Sequence, residues 1–122
     1  SNLENTAIIY RTAQGTTSSA GGSGLNTLVS AEASRNIKVY AFSLTTTAQV
    51  HLSAAFADGS SVGGTRFWRV GLQAPSQGIA GANLAVTPPA YLFATGSGVT
   101  LALFLDSASL VHYSVSYFKE SA

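Results

Sequence analysis

The chain has 122 residues and no cysteine, so it fits a single domain that folds without disulfide bonds. Charged residues make up 9% of the chain, against roughly 25% in ordinary soluble domains, which leaves open either a neutral Ser/Thr-rich β surface or a surface covered by neighbouring molecules. Scattered cations, a net charge of +1 and no apolar run near the roughly 18 residues of a membrane span predict neither nucleic acid nor membrane as a partner.

The first 24 residues read as an N-terminal arm followed by a loop. The run 5–13 is β-prone, with Ile8 and Tyr10 on one face. Residues 14–24 are rich in Gly and Ser, which resist ordering, and they predict a flexible loop. A second short strand is predicted over 25–29.

Three strands are predicted in the middle of the chain. The run 37–44 has apolar residues on both faces, which is typical of a central or interface strand, and the run 50–56 alternates from Val50 onward with its apolar residues inward. In the run 65–72, Phe67 and Trp68 are consecutive and therefore fall on opposite faces. At least one of these two rings is expected to point away from the core and, if exposed, to mark a contact surface.

The last part of the chain contains the clearest alternation. Pro88 and Pro89 limit a strand that begins at 84, because proline cannot donate a ladder hydrogen bond, and a short apolar run follows at 91–93. The runs 99–105 and 110–118 then alternate between inward and outward residues. About eight short strands with frequent turns and no helix predict one all-β domain over 1–122, an antiparallel, jelly-roll-like β-sandwich.

The sequence offers no convincing catalytic or metal site. The segment 59–63 fits G-x-S-x-G, but that motif places its Ser on a strand-to-helix turn and no helix follows, so we interpret it as a hairpin loop. His51 and His112 have no further ligands at metal-binding spacing. A carboxylate pair could form only in space, and the five acids are dispersed. We expect no enzyme activity, no catalytic residues, no metal and no cofactor.

Four aromatic residues have two possible roles. They could pack into the core or an interface, where most aromatic side chains go, or they could form a platform on which sugars stack. The first role is favoured. The four residues are Phe67, Trp68, Tyr91 and Phe93.

Most of the chain, from 28 to 118, resembles small virion proteins of tailed bacteriophages, including head decoration (cement) proteins. The resemblance lies in the segments 28–31, 37–44, 50–52, 63–64, 91–96, 99–105 and 114–117. It implies a sandwich that is often a homotrimer, bound to the major capsid protein on the outer capsid surface. Residues 1–24 take no part in it.

The resemblance leads to two functional hypotheses. A decoration protein would stabilise the closed shell because it binds only the assembled lattice. A tail or fibre module would instead contact the host surface, with a glycan as a possible ligand. For either role we expect an assembly interface that includes the N-terminal arm, which could add a strand to a partner's sheet. The candidate interface residues are Leu3, Ile8, Tyr10, Phe67, Trp68, Arg69, Tyr91 and Phe93.

Overall fold

The computed structural model describes residues 8–17, 25–59 and 64–121. Every regular element in these residues is a strand, and no helix in them is long and apolar enough to cross a membrane. The strands are β1 Arg11–Thr17, β2 Leu25–Val29, β3 Arg35–Thr46, β4 Leu52–Asp58, β5 Arg66–Leu72, β6 Ala80–Ala85, β7 Phe93–Ala94, β8 Leu101–Leu105 and β9 Val111–Ser121.

The strands form two antiparallel sheets. Sheet A has the order β1-β9-β3-β6, with the two-residue β7 beside β6 on the same side of β3, and sheet B has the order β2-β8-β4-β5. The antiparallel pairs are nested in sequence, each inside the one before, as in one long hairpin wrapped into two layers. They are β1–β9, β2–β8, β3–β6 and β4–β5. This is the jelly-roll arrangement, and the predicted fold class is confirmed.

The core lies between the two sheets and follows the predicted alternation. In β8, Leu101, Leu103 and Leu105 are buried, and in β9 Val111 and Val115 are buried while the tyrosines that alternate with them pack against the core. Burying each of these side chains stabilises the fold by about 1.5–3 kcal/mol. The sequence alternation in β8 and β9 therefore predicts correctly which of their residues face the core.

Two β-bulges change which residues face the core. In β3 the pairing with β9 shifts between Val39 and Ala41, so that inward positions move from odd to even residue numbers. This shift explains the apolar residues on both faces. In β5 the pairing with β4 shifts so that Phe67 is the extra residue, and Phe67 and Trp68 both pack against the core. The expectation that one of these rings points outward is wrong for this reason.

Several predicted strand bounds are also wrong. β1 runs to Thr17 because pairing with β9 satisfies its backbone, whereas composition predicts a loop from residue 14. β4 begins at Leu52, so Val50 lies in a loop and not in the core. β6 begins at Ala80, before the predicted start at 84. Leu3, the rest of the predicted loop and Ser61 of the G-x-S-x-G segment lie outside the described residues.

Candidate assembly surface

Three loops meet at one end of the sandwich, which we call the apolar loop end and define as residues 47–51, 73–79 and 106–110. Ala74 N–H donates to the Ala48 carbonyl at 2.7 Å, joining the first loop to the second. The Thr46 hydroxyl donates to the Leu110 carbonyl at 2.8 Å, which joins the third loop to the end of β3. These bonds hold three distant segments of sequence in one surface.

The apolar loop end exposes one large hydrophobic side chain from each loop. Val50 is 61% exposed, Ile79 68% and Leu110 49%. Among the Asp, Glu, Lys and Arg residues that the structure describes, only Asp106 lies at this end, and its Oδ1 accepts a hydrogen bond from Ser53 N–H at 2.8 Å. Exposed apolar residues with almost no charge around them are typical of a contact surface.

The opposite end, which we call the charged end, carries the ion pairs. Lys38 Nζ lies 2.6 Å from Glu120 Oε1, and Arg35 Nε lies 2.8 Å from Glu32 Oε2. Lys119 Nζ approaches Glu32 Oε1 at 3.5 Å and donates to the Ser30 carbonyl at 3.2 Å. Lys38, Arg35 and Lys119 are therefore each paired with a carboxylate of the same chain.

An aromatic cluster lies on the outer face of sheet A near the charged end. The Tyr10 ring stands edge-on to Tyr40 at 5.8 Å and to Phe118 at 5.5 Å between centroids. Phe118 is only 1% exposed, although it alternates with the inward-facing Tyr117. Ile8 and Ile9 remain exposed just before this cluster. The predicted interface residues Ile8 and Tyr10 thus lie on the surface, and Tyr10 also covers Phe118.

The other predicted interface residues that the structure describes are divided between the core side and the surface. Phe67 stacks on the buried Phe93 at 5.7 Å and 9°, and Trp68 lies 6.5 Å from the same ring, so these two half-buried rings pack against the core. Tyr91 is exposed, with Lys38 Nζ 4.9 Å above its ring. Arg69 is exposed on sheet B, opposite Ala55 in β4.

Sequence reasoning missed the three exposed residues of the apolar loop end. Val50 reads as the first inward residue of a strand, and Leu110 reads as the first residue of the last strand. Ile79 gives the clearest signal, because it is a single large β-branched residue in a loop of small and polar residues. A lone large apolar residue in such a loop has no core position of its own and is a candidate for a contact.

The centre of the outer face of sheet A carries small and polar side chains without charge. It contains a shallow depression of about 160 Å³, lined mainly by Ala41, Ser43, Asn83, Ser114 and Ser116. No group of three or more His, Cys, Asp or Glu side chains that could hold a metal ion occurs within residues 8–17, 25–59 and 64–121.

Comparison with known proteins gives a fold and no family. No protein-family model matches the chain, and no curated protein matches it. Among solved structures, a protein of Bacillus endospore appendages, described as forming a family of disulfide-linked pili, is 15% identical with a TM-score of 0.51, covering 99% of this chain and 98% of the other.

Two plant virus particles also contain similar chains. A chain of the cowpea mosaic virus empty virus-like particle is 10% identical, with a TM-score of 0.47 and coverage of 99% of this chain and 87% of the other. A chain of broad bean stain virus is 9% identical, with a TM-score of 0.45 and coverage of 100% and 90%. At these identities the comparisons concern the fold alone, and the appendage protein supports the jelly-roll assignment.

Proposed function

We propose that this chain is a structural virion protein that binds the outside of a bacteriophage capsid and stabilises the shell, as a decoration protein. The observation that carries the proposal is the apolar loop end, where Val50, Ile79 and Leu110 are exposed and, of the charged residues that the structure describes, only Asp106 is present. The resemblance of residues 28–118 to small virion proteins supports the same role.

The apolar loop end is the surface that contacts the shell in this proposal. Fully burying a Val, Ile or Leu side chain is worth about 1.5–3 kcal/mol, so three such residues on one surface supply useful affinity without any charge pairing. No cysteine is present, so association through these 122 residues cannot use disulfide bonds, unlike the disulfide-linked pili of the appendage protein.

A homotrimer would strengthen the contact with the major capsid protein. Three loop ends on one particle can engage three neighbouring shell subunits, and the second and third contacts then form at a high effective concentration. A ligand that binds the closed lattice and not its separate subunits stabilises the lattice by mass action. Modest affinity at each loop end is therefore enough for a stabilising effect on the whole shell.

The test is the copy number of this chain in purified virions of its source, measured by quantitative protein staining against the main shell protein. A decoration protein is expected at hundreds of copies per particle. A few copies or a few dozen would move the chain to the tail or a fibre, where contact with the host surface becomes the function to test. Absence from the virion would overturn the proposal.

A further inference from the structure

The four edge strands of the sandwich are protected to different extents. An open sheet edge pairs readily with another strand unless charges, bulges or prolines block it. β5 carries Arg66, Arg69 and a bulge, and β2 has a shift in its pairing with β8. β1 and β6 pair without any shift over their full lengths, neither contains proline, and β6 has no charge. Within the described residues, sheet A therefore has two edges that lack bulges and prolines, with Arg11 at the start of β1 as their one charge.

Both edges of sheet A present free backbone groups at alternate residues. Val86 N–H donates to the Tyr40 carbonyl at 2.8 Å, and this bond sets which residues of β6 face β3. By alternation across the register of the sheet, the outward groups belong to Gly81, Asn83 and Ala85 on β6, and to Thr12, Gln14 and Thr16 on β1. Among the described residues, no strand pairs with either of these outward sides.

The outward residues of β1 and β6 lie in the same rows across sheet A, and the two strands run in opposite directions. Following the pairing across the sheet, Asn83 aligns with Ser43, Ser114 and Gln14 in one row. Because β1, β9, β3 and β6 alternate in direction, β1 and β6 run in opposite directions. A second copy in the same orientation would therefore bring its β1 against β6 as an antiparallel neighbour, with outward-facing residues opposite each other.

One exposed side chain also fits such a contact. Leu84 is the large hydrophobic residue of β6, and it is exposed although its pairing with Phe42 places it at the edge of the inner face. Leu84, Phe42, Val115 and Ala13 form one row across the sheet. If the rows of the two copies are aligned, Ala13 of the second copy lies opposite Leu84. Pairing of the edges would then cover Leu84.

We infer that copies of this chain associate head to tail, with β6 of one copy pairing antiparallel to β1 of the next, so that sheet A continues from copy to copy. A head-to-tail contact closes into a ring or extends as a filament, according to the rotation between copies. The inference does not depend on a shell, because both edges belong to this chain. It supplies the contact by which a trimer would form.

Paired edge variants test this arrangement on the isolated protein. Asn83→Pro and Gln14→Pro each remove one backbone N–H that points away from the sheet, and an edge strand tolerates proline at such a position. Asn83→Ala and Gln14→Ala keep this N–H and serve as controls. Mass is measured by light scattering after size-exclusion chromatography. We expect the unaltered chain and both Ala variants to form oligomers, and each Pro variant alone to be a 12.5 kDa monomer.

The equimolar mixture of the two Pro variants gives the decisive result. Each variant retains one intact edge, and these edges are complementary, so the mixture should form a dimer of twice the monomer mass and nothing larger. A monomeric unaltered chain, or a Pro variant that forms dimers alone through one edge, would overturn the inference. If a Pro variant loses its β-sheet circular dichroism, Asn83→Lys and Gln14→Lys replace the pair, since an edge charge also blocks pairing.

The result is separable from the proposed function. A chain that forms head-to-tail oligomers but is absent from virions would contradict the shell-binding role and leave the edge pairing intact. A monomeric chain found at hundreds of copies per virion would do the reverse.

Discussion

The two ends of the sandwich differ in how they place charged and large apolar side chains. At the charged end, Lys38 pairs with Glu120 and Arg35 pairs with Glu32, while the large apolar ring of Phe118 is covered by Tyr10 and Tyr40. At the apolar loop end, Val50, Ile79 and Leu110 are exposed.

The two ends differ in where the ion pairs of the described residues lie. Nine of the ten charged residues that the structure describes lie outside the three loops of the apolar loop end. Exposed apolar residues occur at both ends, since Ile9 and Tyr91 are exposed near the charged end, but only at the apolar loop end do they lie apart from ion pairs. An apolar surface with little charge is typical of a contact surface, so the apolar loop end is the side that we assign to a partner.

The largest expected effect is on stability at the charged end. Phe118→Ala removes a ring that is fully buried outside the main core, and we expect the free energy of unfolding to fall by about 3 kcal/mol. Leu110→Ala, just before the other end of β9, is the matched control and should cost less than about 1 kcal/mol because Leu110 is half exposed. Urea unfolding measures both. Equal losses would mean that the two ends do not differ in internal packing.

The next effect is on binding at the apolar loop end. The triple variant Val50→Ser, Ile79→Ser and Leu110→Ser should keep its unfolding free energy nearly unchanged, since its residues are exposed. Its affinity for purified shells should fall by about 100-fold, which corresponds to about 2.8 kcal/mol. Co-sedimentation with shells measures the affinity.

A control variant at the opposite end sharpens this test. Ile9→Ser changes an equally exposed residue near the charged end, and binding is expected to stay at the level of the unaltered chain. If Ile9→Ser weakens binding and the triple variant does not, the contact lies with the N-terminal segment, which would contradict the comparison of the two ends.

The sequence predicts the regular parts of this molecule better than its surface. The alternation in 99–105 and 110–118 identifies the inner residues of β8 and β9, and strand number with turn spacing predicts a jelly-roll-like sandwich. Burial imposes a period of two, so it leaves a signal within a single strand.

The remaining features depend on contacts between distant segments. The bulge at Phe67 moves its ring to the core side, and a bulge has no periodic signature because it consists of one extra residue. Val50, Ile79 and Leu110 lie far apart in the sequence and come to one end only because the nested topology brings their loops there. The exposure of Ile8 could be predicted from its position in the arm, whereas the covering of Phe118 by Tyr10 could not.

A smaller effect is expected at the one charge of the apolar loop end. Asp106→Ala removes the acceptor for Ser53 N–H and should lower the unfolding free energy by about 1 kcal/mol. Asp106→Asn keeps an acceptor oxygen and removes the charge, so stability should stay within about 0.5 kcal/mol of the unaltered chain. Thermal unfolding separates the two variants. Weaker shell binding by Asp106→Asn would show that the contact uses a charge and is not mainly apolar.

The smallest effect is expected from the ion pair at the charged end. Glu120→Gln removes the charge that faces Lys38 at 2.6 Å, but both side chains are partly exposed, 23% for Lys38 and 36% for Glu120, and such pairs contribute about 0.5 kcal/mol. The difference in urea unfolding should shrink at high salt, since salt screens exposed charges. Shell binding should not change, because this end faces solvent in the proposed arrangement. If Glu120→Gln weakens shell binding and the triple loop variant binds normally, the charged end contacts the shell and the apolar loop end faces solvent.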